Sequence, residues 1–207
     1  MSSPAKINLG LRVLGIRPDG YHELETRIQQ VSLFDRIWVL PVGRSIRITT
    51  NREDIPQGRK NIVYRAAAAL RAKVGESSLG AKIHLVKHIP RAAGLGGGSG
   101  NAALVLWALN RLWECDLKIS HLREIASSVG SDVPAFLGGA AALCRGRGER
   151  IHSFRGLRAG WIVLAKPPYS LDTSVVYGWM RVKLKTAGGR FNIGGIVSRQ
   201  SESNWQN

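Results

Sequence analysis

Between residues 94 and 100 the chain reads Gly94-Leu95-Gly96-Gly97-Gly98-Ser99-Gly100, followed by Asn101 and a long apolar stretch. A strand, a glycine-rich turn and a helix start together make an anion site. The first helical amides have no intrahelical acceptor, the helix dipole favours negative charge, and glycines let the backbone approach a phosphate. The same residues also suit a hinge between strand and helix. The Walker pattern needs a lysine followed by Ser or Thr after the last glycine, and no lysine lies between Arg91 and Lys118. Gly98-Ser99-Gly100-Asn101-Ala102-Ala103 has the formal dinucleotide spacing. The acidic residue expected about 20 positions further on is missing, and Asp116 lies just past the helix instead.

Other residue types can do chemistry. Asp132 follows Gly130-Ser131 and precedes Val133-Pro134; a carboxylate there reads either as a base for a hydroxyl or as an Asx-type turn residue. Lys6 and Asn8 alternate with Ile7 and Leu9, so a strand projects them together. Tyr21 and His22 follow the turn signature Pro18-Asp19-Gly20. Cys115 and Cys144 lack the neighbours of a metal site or a nucleophile triad. They read as buried free thiols in a reducing compartment.

These groups need elements to hold them. Ile7, Leu9, Leu11 and Val13 predict a first strand with one buried face. Two further strands are expected at residues 28–33 and 37–40, and another at 46–49. Asn61 caps a predicted helix over 62–74 that stops at Gly75. A strand follows at 82–89, then the glycine loop, then a buried helix over 102–113. Ser120 caps a third helix that Gly130 ends. Strands are predicted over 135–143 and 161–165, and the pattern thins after Arg181. No internal repeat is visible. The mixture reads as α+β, without strict βαβ alternation.

Composition excludes other classes. The chain has 207 residues, 44% hydrophobic and 21% charged, which excludes a disordered or collagenous chain. Thirty Lys+Arg against 14 Asp+Glu give +16, an excess that attracts polyanions, whether nucleic acid, acidic membrane, nucleotide or phosphorylated substrate. No run of 18 apolar residues is present. The opening Met1-Ser2-Ser3-Pro4-Ala5-Lys6 lacks a signal-peptide core, so the expected location is cytoplasmic.

Pro90-Arg91-Ala92-Ala93-Gly94-Leu95-Gly96-Gly97-Gly98-Ser99 resembles the phosphate loop of the GHMP kinases, the family of galactokinase, homoserine kinase and mevalonate kinase. Three further segments match in order: Pro4-Ala5-Lys6-Ile7-Asn8-Leu9, Asp19-Gly20-Tyr21-His22-Glu23-Leu24 and Gly130-Ser131-Asp132-Val133-Pro134-Ala135-Phe136. The longer glycine run is the variant of those members that phosphorylate a cytidine-diphosphate methylerythritol. The resemblance covers about residues 3–177.

It implies an α+β GHMP kinase fold. The expected division is an N-terminal ATP-binding domain, residues 1–150, of a type shared with a ribosomal protein, and an incomplete C-terminal α/β domain, residues 151–207. The implied reaction transfers the ATP γ-phosphoryl group, with Mg2+, to the 2-hydroxyl of that small-molecule substrate, on the non-mevalonate route to isoprenoid precursors. Asp132 would take the hydroxyl proton and Lys6 would offset charge. Gly94, Leu95, Gly96, Gly97, Gly98 and Ser99 would wrap the ATP phosphates, with Asn61 and Lys87 near the nucleoside. Asn8, Tyr21, His22 and Thr173 would hold the substrate.

The loop departs from the family pattern at Gly100, where a second serine is usual, so a hydroxyl for phosphate or Mg2+ is expected to be lost. Residues 181–207 do not resemble the rest of a GHMP kinase, which gives the expectation of a shortened second domain. Two alternatives follow: a catalytically impaired remnant of such a kinase, or an RNA-binding module of the same fold.

Overall fold

The computed structural model describes residues 1–153, 155–157, 160–166 and 191–193. Chain order gives β1 (Ser2–Ile16), β2 (His22–Pro41), β3 (Ile46–Thr50), α1 (Ile62–Val74), β4 (Ala81–Val86), α2 (Gly97–Leu112) and α3 (Ile119–Val129). A single 3-10 turn (Pro134–Leu137), β5 (Ala141–Gly146), β6 (Arg150–Ser153) and β7 (Phe191–Ile193) follow. The sheet runs β3-β4-β2-β1-β7, with β5 and β6 added beside β2.

The long strand β2 organises the sheet. One edge pairs antiparallel with β1, while the other edge pairs first with β5 and then with β4. Two strands at 28–33 and 37–40 were expected; one strand spans both, because a register shift at Pro4/Ala5 absorbs the irregular residues without ending the pairing. A second shift at Asn8/Gly10 reverses the inward–outward parity of β1. Hence Leu11 joins Lys6 and Asn8 on the cleft side, and the single apolar face expected for 7–13 is not formed. Lys6 and Asn8 do project together, with Lys6 Nζ donating to Asn8 Oδ1 at 2.7 Å.

Helix α1 is as its sequence predicts. Asn61 Oδ1 accepts from Val63 N at 2.8 Å, and Gly75 ends the helix at φ 73°. It crosses over between the parallel strands β3 and β4. The helices bury Leu70, Leu106, Leu109 and Leu122 against Ile37, Ile83 and Leu85 of the sheet. Burying each such side chain stabilises by about 1.5–3 kcal/mol.

Three boundaries differ from expectation. Strand β4 ends at Val86 rather than 89, because the next residues turn their amides to a buried carboxylate. Helix α3 is preceded by Lys118, with Ser120 inside its first turn. The strand expected at 135–143 is replaced by the 3-10 turn and β5, since Pro134 favours a helical first turn. Residues 160–166 form no strand; Trp161 and Val163 stand fully exposed. Cys144 is buried as expected, whereas Cys115 is only partly so. Thr173 lies outside the described residues.

Candidate active site

Helix α2 begins at Gly97, five residues earlier than its apolar run suggests. Glycine is a poor helix former, but packing decides here. Gly96, at φ 66°, turns the chain into the helix, and a Cβ on it would lie 2.8 Å from the Phe136 ring and 3.0 Å from Lys6 Cγ. The first bond of the helix joins Gly100 N to Gly96 O at 2.8 Å. The amides of Gly97, Gly98 and Ser99 are thus left to the cleft, at the positive end of the helix dipole. The loop is tied to β1 where Lys6 N donates to Leu95 O at 2.9 Å.

Gly100 does not line the cleft. A Cβ there would point inward, 2.9 Å from Pro4 O and 3.0 Å from Ser3 Oγ. A side chain at 100 would therefore start toward the β1 backbone and the Phe136 ring.

Asp132 stands in the turn after α3. Val133 N closes that turn on Gly130 O at 3.1 Å, and Arg65 on α1 holds the helix end by donating to Val129 O at 2.7 Å. The turn is closed by backbone, and the Asp132 carboxylate faces Lys6, Oδ2 to Nζ 3.9 Å. The lysine side chain is 9% exposed and the aspartate 58%. Lys6 is steadied from behind. Asn8 Nδ2 donates to Thr26 Oγ1 at 2.8 Å, and the Thr26 hydroxyl donates to Gly10 O at 2.8 Å.

A cleft of about 1460 Å³ brings the sequence-predicted residues together. Lys6, Asn8, Tyr21, His22, Asn61, Lys87, the loop from Gly94 to Ser99, and Asp132 all line it. Its described lining includes six cations, Lys6, Lys60, Lys87, Arg91, Arg147 and Lys166, against two carboxylates, Asp19 and Asp132.

Sequence reasoning missed Asp35. It is fully buried on β2 and accepts from His88 N at 2.8 Å, Ile89 N at 2.9 Å and Asn101 Nδ2 at 3.0 Å. Lys87 Nζ completes the set as its ion-pair partner. Asp35 shares strand parity with the buried Ile37, and a carboxylate among inward positions is the signal that could have found it. Arg147 and Thr26 were also missed.

Cys144 lines the cleft with its thiol pushed up to about 12 by burial, then by the Asp132 charge, with Lys6 pulling the other way. At neutral pH it is a protonated thiol and no nucleophile. Asp19 is held below the usual carboxylate range, first by the Tyr21 amide, which donates to it at 3.1 Å, and also by Arg17.

The glycine loop, the start of α2 and the apposed Lys6–Asp132 pair share one cleft, and comparison with known proteins shows where such a chain belongs. Residues 61–140 match the family model described as GHMP kinases N terminal domain. The chain thus carries a GHMP kinase N-terminal domain. It is 48% identical over 174 residues to a 4-diphosphocytidyl-2-C-methyl-D-erythritol kinase of Pelotomaculum thermopropionicum, covering 84% of this chain and 60% of that protein. A protein of the same name from Listeria monocytogenes is 40% identical over 184 residues, covering 88% and 63%. A crystal structure of 4-(cytidine 5'-diphospho)-2C-methyl-D-erythritol kinase superposes with TM-score 0.62 at 41% identity, over 77% of this chain and 60% of that one. Mevalonate kinase of Methanococcus jannaschii shares the fold, with TM-score 0.57 at 14% identity, over 75% and 55%. The chain thus spans about 60% of the length of the curated relatives it matches. Among the described residues no helix is long and apolar enough to cross a membrane.

Proposed function

We propose that this protein phosphorylates the 2-hydroxyl of 4-diphosphocytidyl-2-C-methyl-D-erythritol with ATP, in the non-mevalonate route to isoprenoid precursors. The reading rests on one observation above all: Lys6 and Asp132 meet at 3.9 Å in the cleft that the α2 N-terminus opens into. The relatives that carry this name supply the substrate. ATP fits the cradle, because three outward amides and a positive helix end suit phosphate oxygens. Gly94 to Ser99 hold those oxygens, with Asn61 and Lys87 on the nucleoside side. Mg2+ binds largely through phosphates and water, which suits a cleft whose described carboxylates are only Asp19 and Asp132.

ATP supplies the phosphoryl group. Asp132 accepts the hydroxyl proton as the acceptor oxygen attacks, and the Lys6 ammonium favours the ionised carboxylate beforehand and offsets developing charge. Asn8 orients both Lys6 and substrate. Tyr21 and His22 line the cytidine end, where a ring suits a base; Thr173 is assigned to the substrate diphosphate. Residues 1–150 form the nucleotide-binding unit in this reading, residues 151–207 contribute to a second one, and the reaction takes place in the cytoplasm. Phosphoryl transfer is mostly positioning and charge stabilisation, so this small set of groups is sufficient.

The test is ADP release by the purified chain against a panel of alcohol acceptors. Release that depends on the cytidine-diphosphate substrate and on Mg2+ is expected. Release with mevalonate or homoserine instead would overturn the substrate, and release with none would overturn the activity.

A further inference from the structure

The cytidine end of the cleft contains a residue that the reaction leaves unassigned. Arg147 occupies the turn between β5 and β6 and lines the cleft. Its guanidinium carbon lies 3.5 Å from the centroid of the Tyr21 ring. The turn is fixed: Gly148 N donates to Arg145 O at 3.1 Å, and Arg147 N donates to the Glu149 carboxylate at 2.6 Å. Tyr21 is fixed as well. Its carbonyl accepts from Arg17 N at 2.7 Å, and its amide donates to Asp19. Two hydrogen-bonded loops, far apart in sequence, thus bring one cation over one aromatic ring.

Three of the other cations that line the cleft face a carboxylate at short range. Lys6 faces Asp132, Lys87 is bonded to Asp35, and Arg91 is bonded to Asp54. Arg147 has no ion pair within 4 Å among the described residues; its guanidinium lies over the ring, and its charge also acts on the Asp19 carboxylate. A planar guanidinium on an aromatic face keeps its N–H edges free. Those edges match the paired oxygens of a phosphate, to which arginine binds in a two-pronged fashion.

We propose that Arg147, held over the Tyr21 ring, binds the diphosphate linker of a nucleoside-diphosphate alcohol and so selects for that substrate class. The inference rests on the cytidine-diphosphate reading given above. Tyr21 serves the base and the guanidinium serves the diphosphate, between the base and the reacting hydroxyl at Lys6 and Asp132. An acceptor without a diphosphate gains nothing from this residue.

Calorimetric titration of the full chain with CDP, cytidine and ATP tests it, in unsubstituted, Arg147→Leu and Arg147→Lys forms. Losing a charge-assisted contact weakens binding by roughly tenfold or more. Arg147→Leu is expected to lose that much affinity for CDP while cytidine and ATP stay within about twofold, and Arg147→Lys recovers part of the loss. CDP binding unchanged by Arg147→Leu overturns the inference alone. An equal loss for cytidine overturns the diphosphate assignment, leaving a residue that only shapes Tyr21. Failure of the unsubstituted chain to bind CDP overturns the cytidine reading, and this inference with it.

Discussion

Asp35 and Lys87 form a buried ion pair directly behind the glycine loop, joining the middle of β2 to the segment that follows β4. The same carboxylate takes two backbone amides and the Asn101 side chain of α2. Removing one partner of such a pair leaves an uncompensated buried charge. Asp35→Ala is expected to lower stability by about 3–5 kcal/mol. The double replacement Asp35→Leu with Lys87→Met should recover much of that loss, because no charge is then stranded. Urea unfolding of the two variants checks this; a double variant as unstable as Asp35→Ala would show that the backbone bonds of Asp35 dominate.

The inward direction of Gly100 gives a second prediction. Gly100→Ser restores the residue usual in the family but places its Cβ 2.9 Å from the Pro4 carbonyl. Overpacking of this kind costs about 1–3 kcal/mol. The thermal midpoint should fall while ATP affinity stays within about twofold. An ATP affinity that rises markedly would mean that the hydroxyl does reach the phosphates.

The Cys144 thiol gives a pH dependence with a definite sign. Burial raises its pKa from 9.0 to about 12. Folding therefore favours the protonated thiol. That contribution is complete below the unfolded value of 9.0 and is lost as pH rises toward about 12. Stability should drop between about pH 8 and about pH 10.5 by more in the unsubstituted chain than in Cys144→Ala. Thiol labelling at neutral pH should also leave Cys144 unmodified until urea unfolds the protein. Rapid labelling of Cys144 in the native state would contradict its burial.

The parts of this structure that were legible in sequence are the local ones. Asn61 and Gly75 bound α1 because a cap and a left-handed glycine act on their own helix. Lys6 with Asn8, the glycine loop and Asp132 were legible because each motif holds its residues within a few positions. What was not legible depends on distant pairings. The start of α2 was masked by the helix propensity of glycine, which packing against Ile89 and Phe136 overrides. Strand β2 looked broken because Asp35 interrupts its apolar pattern, yet its partners lie 52–66 positions away. Arg147 meets Tyr21 only because β5 pairs with β2.

The net charge of +16 is partly placed by the same geometry. Six cations against two carboxylates make the described cleft lining basic, which suits ATP and a diphosphate substrate. Those cations are a minority of the 30 Lys+Arg in the chain, so the cleft accounts for only part of the excess.

The central claim is that Asp132, facing Lys6, is the base of a phosphoryl transfer to the cytidine-diphosphate substrate. The most direct measurement is substrate-dependent ADP release by the unsubstituted chain beside Asp132→Asn, with ATP binding and the thermal midpoint followed in both. Loss of a positioned base lowers turnover by roughly 10²–10⁴-fold. The account predicts a loss of that size with the fold and ATP binding retained. Full turnover by Asp132→Asn, or none by the unsubstituted chain, would contradict it.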